Sequence, residues 1–103
     1  MITNKLITYI SFAKKSGSLN LGFDSVKFSI LSRKSNLVLF LSDASEKTKK
    51  QIKRLADINN INCLNLNLSS QDLIKFFYKK VVVISIDDKN LSSAIFNLIN
   101  NNF

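Results

Sequence analysis

Histidine is absent from the 103 residues. Its absence excludes a Ser-His-Asp triad and any histidine-ligated metal centre. Proline is absent too, and glycine occurs only at positions 17 and 22. No flexible joint divides the chain, so one domain spanning 1–103 is expected. The same scarcity removes the Walker-type GxxxxGK[ST] loop and the GxGxxG loop, and with them the usual nucleotide cofactors. Cys63 is the single cysteine. It can form no internal disulfide, it has no histidine to activate it, and its apolar neighbours mark it as a small buried hydrophobe in a strand. No apolar run approaches the roughly 20 residues needed to cross a bilayer. Residues 1–17 lack the apolar core and small-residue cleavage site of a secretory signal. A cytoplasmic location with no membrane partner is the expectation.

Acidic residues are the other shortage. Seven Asp plus Glu stand against 15 Lys plus Arg, for a formal charge of +8. Such a surface favours anionic partners, of which nucleic acid is the commonest. Nearly all the positive charge is lysine, with Arg33 and Arg54 the exceptions. The abundance of Lys, Asn, Ile and Phe fits an AT-rich coding bias, so part of the lysine excess belongs to the genome. What remains is a chain that is 46% hydrophobic, well outside the composition of disordered segments.

The most informative stretch runs from Asn36 to Asn59. It opens on the unbroken apolar run Leu37–Leu41, the pattern of a strand buried on both faces. Asp43 then reads as an N-cap, with Glu46 closing a capping box, so a helix is expected from about Ala44. Its stripe is Ala44, Thr48, Ile52, Leu55, Ala56 and Asn59, and Lys47, Lys50 and Arg54 make an outer basic row. Before this stretch, helices are expected from about Thr3 to Lys15, stopped near Gly17, and from Gly22 or Phe23 to Ser32, with Val26, Ser29 and Ile30 facing inward. Ser18–Leu21 reads as a connector or brief edge strand. After it come an edge-like strand in 61–68, a helix capped by Ser69 or Ser70, the apolar strand Val81–Ile86, and a last helix started by Asp87, Asp88 and Asn90 that ends in Asn100–Asn102. Strands alternating with helices predict a single-domain three-layer α/β/α sandwich, with right-handed crossovers giving a small, mostly parallel central sheet.

Two sets of residues carry possible chemistry. Asp43, Asp87 and Asp88 follow apolar strands, and convergent carboxylates beyond strand ends could hold Mg²⁺ for phosphoryl transfer. Each also directly precedes a helix, where a plain N-cap suffices. Gly22 opens a helix whose amides and dipole favour an approaching phosphate.

The runs AKKSGSLNLGFDSVKFSI, NLVLFLSDASEKTKKQI and DLIKFFYKKVVVISIDDKNLSSAI together resemble the kink-turn-RNA-binding ribosomal protein superfamily (the archaeal L-seven-Ae group), and most of all its small bacterial YlxQ-like branch. The resemblance covers nearly the whole chain. It implies an α/β/α sandwich that binds structured RNA, usually ribosomal, without being an enzyme. The partner it implies is structured RNA, usually ribosomal, with the large ribosomal subunit one place for it, rather than DNA, and no cofactor is implied. Carried over by position, the RNA face comprises Gly22, Phe23, Asp24, Ser25, Lys27 and Lys34, then Ser42, Asp43, Ala44, Ser45 and Lys47, and finally Tyr78, Lys79 and Lys80. Departures are visible: Asp24 and Ser25 stand where the family has Asn and Glu, Phe28 where it has a lysine, and Ile74 and Tyr78 where it has glycines. An ionised Asp24 cannot donate the hydrogen bond that an Asn gives a base edge. Phe28, if exposed, would instead suit a protein-interaction module that has kept the fold and lost specific RNA recognition.

Overall fold

The computed structural model describes residues 2–101, so Asn102 of the expected asparagine tail lies outside the described residues. The elements, in chain order, are α1 (Ile2–Lys15), β1 (Leu19–Leu21), α2 (Phe23–Leu31), β2 (Leu37–Phe40), α3 (Glu46–Ile58), β3 (Asn62–Asn65), α4 (Ser70–Phe77), β4 (Val83–Ile86) and α5 (Lys89–Asn100). The sheet order is β1-β4-β2-β3. The two apolar runs are its centre, and every residue of β2 and β4 is buried. The alternating strands lie at the edges, where a polar side is tolerated.

Alternation along the central strands splits the core in two. Leu37, Leu39, Ile84 and Ile86 face one way and meet α1, α4 and α5 through Leu6, Ile10, Leu73, Phe77, Ile95 and Ile99. Val38, Phe40 and Val83 face the other way and meet α2 and α3 through Val26, Ile30, Ile52 and Ala56. Three layers result, as the patterning predicts. Gly17, at φ 75°, ends α1, which glycine does at little conformational cost.

Two expectations need correction. The sheet is mixed rather than mostly parallel: β2 and β3 pair in parallel, but β4 runs antiparallel to both β2 and β1. The reason is that α3 carries the chain back along the sheet whereas α4 does not. The chain leaves β3 opposite Phe40 and re-enters β4 opposite Phe40 as well. The start of α3 is the second correction. Ser45, not Asp43, is its N-cap, accepting from the Thr48 amide at 3.1 Å, and the helix begins at Glu46. Ala44 donates its amide to the Leu41 carbonyl in a tight turn, which leaves the Asp43 carboxylate free to bond elsewhere.

Candidate nucleic-acid interface

The mixed sheet gathers several chain segments at one end. The Gly22 amide donates to the Val83 carbonyl, the Leu41 amide to Val82 and the Ser42 amide to Leu68. Thus the start of α2, the turn after β2, the segment 66–70 and the lysine-bearing segment before β4 all meet there. A Cβ placed on Gly22 would lie 3.8 Å from Val81 Cγ1, which sets the 79–82 segment directly beside the helix start.

Three helices begin at this end, and their N-termini differ. The start of α3 is closed by Ser45. That of α4 is closed twice. Ser69 and Asp72 form a reciprocal capping box, and Asp43 reaches across from the β2 turn, accepting from the Ser70 amide at 2.9 Å and from the Ser70 hydroxyl. The α2 start has Gly22 as N-cap and no side-chain cap. Its first bonded amide is that of Val26, which donates to the Gly22 carbonyl. The amides of Phe23, Asp24 and Ser25, in the first turn, point out of the helix with the positive end of its dipole behind them. Gly22 adopts φ 91° and ψ 167°, backbone that is essentially restricted to glycine.

Electrostatics follow the same division. The Ser70 hydroxyl, then the Ser70 amide, hold the Asp43 carboxyl below its ordinary range, and the nearby Lys80 ammonium adds to the effect. Asp43 is therefore a structural anion that ties the β2 turn to α4. Lys27, Lys47, Lys79 and Lys80 are exposed, while Asp24 puts a negative charge in the first turn of α2.

The structure brings together Gly22, Phe23, Asp24, Ser25, Ser42, Asp43, Ser45, Lys79 and Lys80, with Lys27 and Lys47 each within the first turns of a helix that starts there. Within this group Phe23 offers its amide, since its ring packs on the α2/α3 core. Ala44 is buried in that core and offers no surface. Lys34 is not part of the cluster. It follows the far end of α2, a helix roughly 13 Å long, and its neighbour Asn36 bonds to the end of β4. Tyr78 turns toward α1 rather than Gly22, with Lys14 Nζ 4.8 Å from its ring centroid.

The carboxylate trio does not assemble. Because β4 is antiparallel to β2, Asp87 and Asp88 lie at the opposite end of the sheet from Asp43, a strand length of roughly 13 Å away. Asp88 caps α5 by accepting from Leu91, and Asp87 accepts from Asn20 and Ser29. From the sequence Ser70 reads only as an alternative cap for α4, and its bonds to Asp43 are missed. The available signal was the Ser69–Ser70 pair: one hydroxyl caps α4, and the second has no local task.

No family model and no curated protein matches the chain. Solved structures do. A protein of unknown function from Bacillus halodurans superposes with a TM-score of 0.84 at 22% identity, over 93% of this chain and 97% of that one. The Giardia lamblia 15.5kD RNA-binding protein superposes with a TM-score of 0.77 at 12% identity, over 97% of this chain and 86% of that one. The chain shares its fold with an RNA-binding protein. At these identities the fold is what is shared.

Proposed function

We propose that this chain is a non-enzymatic, cytoplasmic RNA-binding protein of the ribosomal kink-turn-binding type, docking on structured, ribosomal RNA through the sheet end that holds Gly22. The observation that carries the reading is the uncapped α2 start set against two sealed neighbours. Three outward amides, a dipole and flanking lysines make a place for a backbone phosphate. The sequence resemblance to the small bacterial branch and the fold shared with the Giardia protein support it. Within this reading, Lys27, Lys47, Lys79 and Lys80 neutralise phosphates, and the Ser42 to Ser45 turn abuts the RNA.

The test is a titration of labelled kink-turn RNA and ribosomal RNA fragments across salt. Binding should weaken steeply as salt rises, and Lys79→Ala with Lys80→Ala should lower the slope of log K against log salt by about 2. Absent or salt-independent binding refutes the reading.

One observation favours a second reading, a protein-interaction module. Phe28 and Leu31, three residues apart on α2, are 68% and 56% exposed. Under that reading kink-turn RNA is left unshifted in a gel, and Phe28→Ala abolishes capture of a protein partner without altering the fold.

A further inference from the structure

A groove of about 410 Å³ lies between α1 and α4. Buried Ile10, Leu73 and Phe77 form its floor. Lys14, Lys15 and Lys75 stand exposed around it, and no acidic residue among the described residues lines it. Tyr78 closes one side. Its backbone sits at φ 57°, a conformation that costs a non-glycine residue stability, yet the residue is 85% exposed. Lys14 holds the ring in place. Its Nζ donates to the Phe76 carbonyl at 2.7 Å and lies 4.8 Å from the Tyr78 centroid. One ring face thus rests on a cation, and the other is open.

We propose that this groove is a second RNA subsite, taking one unpaired nucleotide that flanks the folded RNA: the base stacks on the open face of Tyr78, and Lys14, Lys15 and Lys75 meet the phosphates. The inference rests on the RNA-binding reading above and names a separate part of the ligand. Two features favour a nucleotide over an acidic peptide. Lys79 and Lys80 run without a break from Tyr78 to Val81, whose side chain lies 3.8 Å from where a Cβ on Gly22 would stand, so a basic track links the groove to the phosphate-facing end. The groove volume is also that of a small-ligand pocket, whereas an amphipathic helix lies along an extended trough to seat its repeating anchors. Stacking on an exposed aromatic tolerates any base.

The test compares two labelled probes, a blunt kink-turn RNA and the same RNA with a four-uridine single-stranded tail. The tail should tighten binding about tenfold, the gain of one stacked base. Tyr78→Gly removes the ring and suits the left-handed backbone, so it folds, as a thermal melt will check. In that variant the ratio of tailed to blunt affinity should fall to about one. Equal affinities of the unsubstituted protein for the two probes overturn the proposal, as does a Tyr78→Gly protein that keeps the gain. If a glutamate-rich amphipathic peptide shifts the Lys14 and Tyr78 resonances and the tail does not, the groove belongs to a protein partner and the proposal falls. Failure of both probes to bind removes the RNA-binding reading itself, and this subsite with it.

Discussion

Asp24 gives the sharpest handle on the interface. It is exposed, in the first turn of α2, next to the open amides. A phosphate resting on those amides would lie roughly 5 Å from its carboxylate, where like charges repel by about 0.8 kcal/mol even at the dielectric of water. Asp24→Asn removes that repulsion and adds an amide donor. We expect RNA affinity to rise about fivefold at low salt, the factor that corresponds to about 1 kcal/mol. Stability should move the opposite way. A carboxylate in the first turn complements the helix dipole by about 0.3–1 kcal/mol, so the variant should melt a few degrees lower. Tighter binding by a less stable protein is a signature that a general gain in folding cannot mimic. Fluorescence anisotropy at two ionic strengths, paired with a thermal melt, reads both quantities. An unchanged or weakened affinity at low salt refutes the claim that phosphate sits on the α2 start.

Gly22→Ala should cost about 1–3 kcal/mol in urea unfolding; the added Cβ meets only Val81, at 3.8 Å, so the loss is conformational rather than steric. Ser70→Ala tests the Asp43 bridge. Because Ser70 lowers the folded carboxyl below its unfolded value, the bridge stabilises at neutral pH and is lost as pH falls through the folded pKa. The gap in urea midpoint between parent and variant should therefore be present at pH 7 and narrow below about pH 4, and a gap that widens in acid would contradict the assignment. Cys63 is partly buried rather than the fully buried residue expected, since β3 lies at the sheet edge; its desolvation, reinforced by Asp57, pushes the thiol up to about 11, and alkylation at pH 8 should be on the order of 100-fold slower in the folded protein than in urea.

Periodicity made most of the fold legible. Leu37–Leu41 and Val81–Ile86 announced the two central strands, and the stripe through Ile52 and Ala56 fixed which face of α3 is buried. Orientation was not legible in this way. Whether a helix returns the chain to the starting end depends on where it packs, and the apolar pattern of α4 is the same for either path. The single reversal of β4 separates Asp87 and Asp88 from Asp43. Capping failed for a related reason. The residues Asp43 and Glu46 meet the local rule for a box, but Ser45 is as good a single N-cap, accepting from Thr48, and Asp43 is drawn away by Ser70, 27 residues distant.

The open α2 start could be anticipated only in part. Gly22 announced a helix that begins without a side-chain cap, and that much is local. Whether the end stays open depends on what the other segments bring to it. Asp43 is an acid at the same end of the sheet. It is spent on Ser70, whose amide and hydroxyl offer it two bonds. The acid that could have closed the site is bound to the neighbouring helix, and this leaves the amides of Phe23, Asp24 and Ser25 for an anion from outside. The bridge between Asp43 and Ser70 thus does for the interface what no residue inside it does, and Ser70→Ala carries a second consequence. The amide of residue 70 keeps its bond to the Asp43 carboxylate when the hydroxyl is gone, so Asp43 stays on α4 and RNA affinity should hold while stability falls; a loss of affinity as large as that of the lysine variants would refute this division of roles.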